Sequence, residues 1–256
     1  MTDPFDLTGT TALVTGSSRG IGRALAGGLA AAGARVVVHG RDADRAEATA
    51  REISEASGRP ALSVAFDVAD AAAVDAGFTE VEQQIGGAVD VLVNNAGIQR
   101  RAPIAEFSDG DWQDLLATNL TGPFHCARRV AAGMSARGSG KIVQIGSIQS
   151  QLARVSIAPY GATKGGLAMF TKGLAADLSA DGVQVNTLAP GYFATELTQA
   201  LVEDQEFSAW VAGRTPAGRW GKVEDLVGPL VFLASHASDF VTGQTLFVDG
   251  GMSAVV

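Results

Sequence analysis

Cysteine is almost missing from this chain. Cys126 is the only one in 256 residues, which excludes an internal disulfide and a zinc site built from several thiolates. Histidine is also sparse. His39, His125 and His236 lie far apart, with neither HxxxH nor HExxH spacing, so no metal site is expected. Positive charge is the third shortage: 19 lysines and arginines stand against 27 acidic residues, a net charge of -8. A field of that sign repels phosphate backbones and anionic lipid, so neither a nucleic acid nor a membrane is an expected partner. No apolar run reaches membrane-spanning length. Residues 1–7 contain Asp3, Pro4 and Asp6 and lack the basic-then-apolar pattern of a secretory signal, so a cytoplasmic location is expected. There is no internal repeat, linker or low-complexity stretch, and one domain is expected over residues 1–256.

What is present points to an enzyme core. With 46% hydrophobic and 18% charged residues, the chain can bury the interior of one large α/β domain. Apolar, β-rich runs occur at residues 11–15, 35–39, 61–66, 89–93, 141–146, 183–188 and 245–248, with helical patterns between most of them. The alternation predicts a Rossmann-type doubly wound parallel sheet of about seven strands with helices on both faces. Right-handed crossovers then bring the C-terminal ends of all strands to one edge. Residues 192–220 lack a clear strand and read as a helical excursion over that edge, a substrate lid.

The first strand runs into Gly16-Ser17-Ser18-Arg19-Gly20-Ile21-Gly22 and then a helical pattern. Glycines here permit positive φ and close backbone approach, and the helix N-terminus offers free N–H groups to a pyrophosphate. The spacing is GxxxGxG, not the commoner GxGxxG. About 20 residues further on, where an acidic residue would favour NAD, the chain has Gly40 and Arg41. Arg41 with Arg19 suits the 2′-phosphate of NADP, which is the expected cofactor ahead of NAD. Asp67 and Val68 end the third strand, where the carboxylate can reach an adenine amino group. Asn94-Asn95-Ala96-Gly97 follows the fourth.

Ser147 ends the fifth strand, and Tyr160 and Lys164 stand at i and i+4 in a helical segment, on one face. A phenol is a poor base at pH 7 unless a nearby cation favours the phenolate, and Lys164 is that cation here. Asn119 falls inside a long helical pattern over 111–137, a locally unfavourable place for asparagine.

These motifs, with Pro190-Gly191, stand in the order and spacing of the short-chain dehydrogenase/reductase family, and the chain resembles that family over essentially its whole length. The resemblance implies an NADP-dependent oxidoreductase with Tyr160 as general acid and base. It implies that Lys164 lowers the phenol pKa and binds the nicotinamide ribose, that Ser147 orients the substrate oxygen, and that Asn119 holds a relay water. Gly16, Ser18, Arg19, Gly20, Ile21, Gly22, Asn95, Ala96, Gly97, Pro190, Gly191 and Thr195 fall on the cofactor-binding positions, Thr195 at the carboxamide. A homotetramer is implied too, with residues 247–256 near an interface.

Residues 94–103 (NNAGIQRRAP), 157–160 (IAPY), 190–196 (PGYFATE), 214–221 (RTPAGRWG) and 247–252 (FVDGGM) are similar to one branch, the bacterial gluconate 5-dehydrogenases. That similarity implies a sugar-acid substrate, D-gluconate and 5-keto-D-gluconate. Arg100, Arg101 and Arg154 are available to an anionic group, and Gln149 is expected beside Ser147. The chain departs from that branch at Gln151, where a glutamate is usual. Reduction of another ketone such as a 3-oxoacyl thioester, or a non-catalytic nucleotide sensor on the same fold, also fits the motifs.

Overall fold

The computed structural model describes residues 3–256, and of Leu197 the backbone alone. Seven strands form one sheet: β1 (Thr11–Val14), β2 (Arg35–Gly40), β3 (Leu62–Ala65), β4 (Val91–Asn94), β5 (Gly140–Ile145), β6 (Val183–Pro190) and β7 (Thr245–Val248). Their order is β3-β2-β1-β4-β5-β6-β7, and every neighbouring pair is parallel. The chain winds outward from β1 to β3 and then returns to the other side of β1. The order therefore reverses between β1 and β4, the place where sheets of this kind open a crevice.

Period-two alternation divides the strand residues between two cores. Ala12, Val14, Val36, Val38, Val91 and Val93 point to one side, against α1 (Gly20–Ala31), α2 (Ala43–Ser57) and α9 (Val227–Ala234). Leu13, Val37, Leu92, Ile142 and Val185 point to the other, against α3 (Ala71–Ile85), α5 (Gly122–Arg137) and α6 (Ala158–Leu178). Each large side chain fully buried this way contributes roughly 1.5–3 kcal/mol. Cys126 is buried among them, and burial pushes its thiol up to about 12, so it behaves as a small hydrophobe. Helix ends follow local chemistry. The Asp42 and Asp70 carboxylates accept N–H groups of the first turns of α2 and α3, and both helices close on a left-handed glycine, Gly58 and Gly86.

The long helix expected over 111–137 is broken. It consists of α4 (Asp109–Leu116), a π-helical turn Ala117–Thr121 and α5. Two local causes act together. Pro123 has no N–H to return to the Asn119 carbonyl four residues earlier, and Asn119 is drawn fully into the interior, where its amide serves another loop. The excursion between β6 and α9 contains α7 (Gln199–Glu203) and α8 (Gln205–Arg214). Among the described residues no helix is long and apolar enough to cross a membrane.

One buried side chain sets the glycine turn after β1. His39, in β2, accepts the Gly16 N–H at Nδ1 (2.9 Å), so its proton sits on Nε2 and is donated to the Phe66 carbonyl (3.0 Å). Its ring leans on Phe66 at 4.1 Å, and burial lowers its pKa from 6.5 to about 4. An unfolded histidine takes up its proton near pH 6.5, so the stabilisation from the neutral buried ring is complete above that pH and is lost as pH falls toward 4. Between pH 6.5 and 5 the wild type is expected to lose about 2 kcal/mol from this group, at roughly 1.4 kcal/mol per pH unit. Urea midpoints at pH 7, 6 and 5 measure the loss. The same slope in His39→Gln would show that His39 is not the group responsible.

Candidate active site

The glycine turn is gripped from the β4 side as well. The Asn95 amide donates to the carbonyls of Thr15 (2.9 Å) and Gly16 (3.1 Å), while the Thr15 hydroxyl accepts the N–H groups of Asn95 and Ala96, each at 3.0 Å. A side chain at Gly22 would place its Cβ 2.4 Å from the Asn95 amide nitrogen, and one at Gly16 would meet the Ala96 backbone at 2.8 Å. Gly16 and Gly20 also have φ of +63° and +55°, a region that favours glycine. This is a turn folded for close backbone approach at a helix N-terminus, with Ile21 packed behind it on the core.

At the outer end of the turn stand Ser18, Arg19, Gly40 and Arg41. Both arginines are exposed, and among the described residues neither has an ion-pair partner. A Cβ at Gly40 would come within 3.0 Å of the Ser18 hydroxyl, so a side chain there needs that hydroxyl to turn aside. Asp67 lies exposed at the end of β3 with one carboxylate oxygen accepting the Ala69 N–H. Val68 turns its side chain inward beside Gly122, which leaves its backbone as what it can offer a ligand.

On the other side of the crevice, β5 delivers Ser147 to the same edge. The Ser147 hydroxyl donates to the Gln149 side-chain oxygen and accepts the Gln149 N–H (3.2 Å). Tyr160 lies in the first turn of α6, with Lys164 one turn later. The Lys164 ammonium donates to the Ile145 carbonyl at 2.7 Å and lies 5.8 Å from the centre of the Tyr160 ring. Burial drives the Lys164 pKa down to about 8. Burial raises that of the Tyr160 phenol, opposed by the Ser147 hydroxyl and by the charge of Arg101. Two cations therefore stand near the phenol, Arg101 and the Lys164 to which the sequence pattern pointed. Lys164 is anchored on a backbone carbonyl and faces the ring.

Gly97 and Asn119 close the back of this pocket. A Cβ at Gly97 would stand 3.3 Å from the Asn119 amide oxygen and 3.9 Å from the Lys164 nitrogen. The Asn119 amide binds both backbone groups of Ile98 (2.8 and 2.9 Å) and reaches the Thr163 hydroxyl at 3.3 Å. Its side chain is fully used in holding the loop after β4 against α6. Pro190 and Gly191 end β6, where a Cβ on Gly191 would meet Asp249 at 2.7 Å, and Thr195 bonds Thr198 in the short turn that follows.

The mouth carries two guanidiniums. Arg101 and Arg154 come from separate loops that the Ala102 N–H to Ser156 carbonyl bond joins at 3.2 Å. Burial and then the like charge of Arg154 lower the Arg101 pKa, with Tyr192 and Tyr160 opposing. Arg100 does not belong to this group. It turns away to Asp111 (3.0 Å) and Asp114 (3.9 Å). Arg154 meets the Tyr192 hydroxyl at 3.5 Å and stacks over Phe207, its guanidinium carbon 4.6 Å from the ring centre. Tyr192 is ringed edge-on by Phe207, Trp210 and Trp220, all within 5.8 Å. Motif reading passed over these aromatics and His39. One signal was available: in a chain with three tryptophans and two tyrosines, residues 192–220 hold two of the former and one of the latter.

A crevice with a phosphate-sized glycine turn at one end and a serine, phenol and ammonium at the other suits hydride transfer between a dinucleotide and a carbonyl or alcohol. Comparison with known proteins agrees. Residues 10–206 match the family model of the short chain dehydrogenases. The gluconate 5-dehydrogenase of Gluconobacter oxydans is 55% identical over 251 residues, covering 98% of this chain and 97% of that protein. The 5-keto-D-gluconate 5-reductase of Escherichia coli is 46% identical, with both chains covered in full. Among solved structures, a gluconate 5-dehydrogenase from Burkholderia cenocepacia, in complex with NADP and tartrate, superposes with a TM-score of 0.96 at 55% identity over 99% of both chains. Fold, site and comparisons together show that this chain belongs to the short-chain dehydrogenase family.

Proposed function

We propose that this protein is an NADP-dependent oxidoreductase that interconverts D-gluconate and 5-keto-D-gluconate. The observation that carries the substrate class is the pair Arg101 and Arg154, which share the mouth with Tyr160 and which no carboxylate among the described residues neutralises. Two unpaired guanidiniums beside the reacting phenol suit a hydroxy acid. The 3-oxoacyl group of a thioester would offer them no countercharge. The similar enzymes from Gluconobacter oxydans and Escherichia coli are named for this reaction.

The residues fit the cofactor. The positive-φ glycine turn, the Gly22 approach and the two unpaired arginines at the outer end form a cradle for a phosphorylated dinucleotide, completed by Asn95, Ala96, Gly97, Pro190, Gly191 and Thr195 along the strand ends. When bound, NADP supplies the hydride acceptor or, as NADPH, the donor. In this reading Tyr160 takes the proton of the C5 hydroxyl during oxidation and returns it during reduction, and Ser147 exchanges its bond to Gln149 for one to the substrate oxygen. Lys164 holds the ribose from its anchor on Ile145. Asn119 acts through its main-chain carbonyl, since its side chain is committed to Ile98.

Replacing Tyr160 by Phe removes the proton-transferring oxygen and keeps the ring. Turnover should fall by at least about 100-fold with NADP affinity unchanged. A Phe variant that kept a third of wild-type turnover would remove Tyr160 from the reaction. The direct test of the substrate is NADP reduction by gluconate set against NADPH oxidation by an acetoacetyl thioester.

Cofactor preference follows from the corner at Arg19 and Arg41. One charge-assisted bond to the 2′-phosphate is worth roughly 1.5–3 kcal/mol, and about 1.4 kcal/mol is tenfold, so kcat/KM should favour NADP at least about tenfold over NAD. Gly40→Asp with Arg41→Ile puts a carboxylate beside Ser18 and removes one cation, and should shift the preference toward NAD. A wild type that prefers NAD would contradict this assignment.

The same proposal includes one catalytic domain with residues 192–220 as its lid, a cytoplasmic location and a homotetramer. Support for assembly comes from exposed apolar side chains on α5 and α6, Phe124 and Met169, and from Phe240 and Leu246 at the β7 edge. Light scattering should give a particle of four chains, and Phe124→Glu with Met169→Glu should reduce it to dimers. A wild-type monomer would refute the assembly.

A further inference from the structure

Holding two like-charged guanidiniums side by side costs repulsion, and several contacts at the mouth maintain the arrangement. Ser156 is the single non-glycine residue with positive φ (+63°) among the described residues, and its carbonyl takes the Ala102 N–H that joins the Arg101 loop to the Arg154 loop. Arg154 is then fixed from the lid side. Its guanidinium carbon lies 4.6 Å from the centre of the Phe207 ring, within the range of cation–π attraction, and a stacked guanidinium keeps its edge N–H groups free.

Phe207 is itself immobilised. It stacks on Trp210 at 5.4 Å with 27° between the rings, and lies 5.8 Å from Tyr192 and 6.1 Å from Trp220. The Trp220 indole N–H donates to the Ser208 hydroxyl (3.2 Å), which in turn donates to the Val202 carbonyl (2.6 Å). An unbranched ring face supported this firmly does more than fill space, because it decides where the Arg154 charge can be.

We propose that Phe207 is a positioning residue for the acid end of the substrate: stacked against Arg154, it holds that guanidinium beside Arg101, so that the pair selects a carboxylate over the neutral polyol of the same length. The inference rests on the reaction proposed above and deepens it, since it places acid selectivity in a lid aromatic that carries no charge.

The experiment uses the full chain saturated with NADPH, which cannot accept a hydride from an alcohol, so no turnover occurs during the titration. Trp210 and Trp220 lie in the same aromatic cluster, and their fluorescence reports binding. D-gluconate and D-glucitol are titrated against wild type, Phe207→Leu and Phe207→Tyr, and steady-state rates with NADP are measured separately. Phe207→Leu should weaken gluconate in both Kd and KM by about two- to fivefold, the worth of an exposed cation–π contact, and leave glucitol where it was. The loss should fall on KM and not on kcat, and Phe207→Tyr, which keeps the ring face, should restore it. Equal weakening of both ligands, a loss confined to kcat, or a Tyr variant as poor as Leu would overturn the proposal. If wild type binds gluconate without oxidising it, the reaction proposed above fails while the titration still reads the role of Phe207.

Discussion

Everything at the catalytic edge depends on how the turn after β1 is held. Its backbone is clamped from the two neighbouring strands at once, by the Asn95 amide on the Thr15 and Gly16 carbonyls and by the His39 imidazole on the Gly16 N–H. The sheet order reverses between β1 and β4, so no crossover helix closes that gap, and side-chain hydrogen bonds take over the work of keeping the two loops in register. Gly16 and Gly22 are glycines because these clamps bring backbone and amide atoms to where a Cβ would stand.

A second constraint is the low polarity behind the reacting groups. Burial works against charge on both Tyr160 and Lys164, raising the one and depressing the other. The Ile145 carbonyl gives the ammonium a partner, and Ser147 and Arg101 act on the phenol from the open side. Asn119, bound to Ile98, sets the rear wall from a π turn beside Pro123.

The mouth follows a different rule. Its charges face outward on loops, and their direction is decided by aromatic packing across the lid, with Tyr192 at the centre and Phe207 under Arg154. Strand ends carry Ser147 and the glycine turn, and a separate, later stretch of chain supplies the aromatic cluster against Arg154.

The sequence by itself determined the fold class, the seven strands, the glycine turn and the Ser147, Tyr160 and Lys164 set, because each of these is written in local periodicity or in spacing along one helix or strand end. It also carried the Arg19 and Arg41 pair, which flank adjacent strand ends. Only the tertiary structure separated two arginines that are neighbours in the chain: Arg100 is neutralised by α4, whereas the charge of Arg101 reaches Tyr160. The hold of Asn119 on Ile98, the clamp by His39 and the aromatic support of Arg154 were likewise invisible in one dimension. Each joins residues more than 20 positions apart, and such contacts form only when the crossovers bring separate strand ends and the lid together.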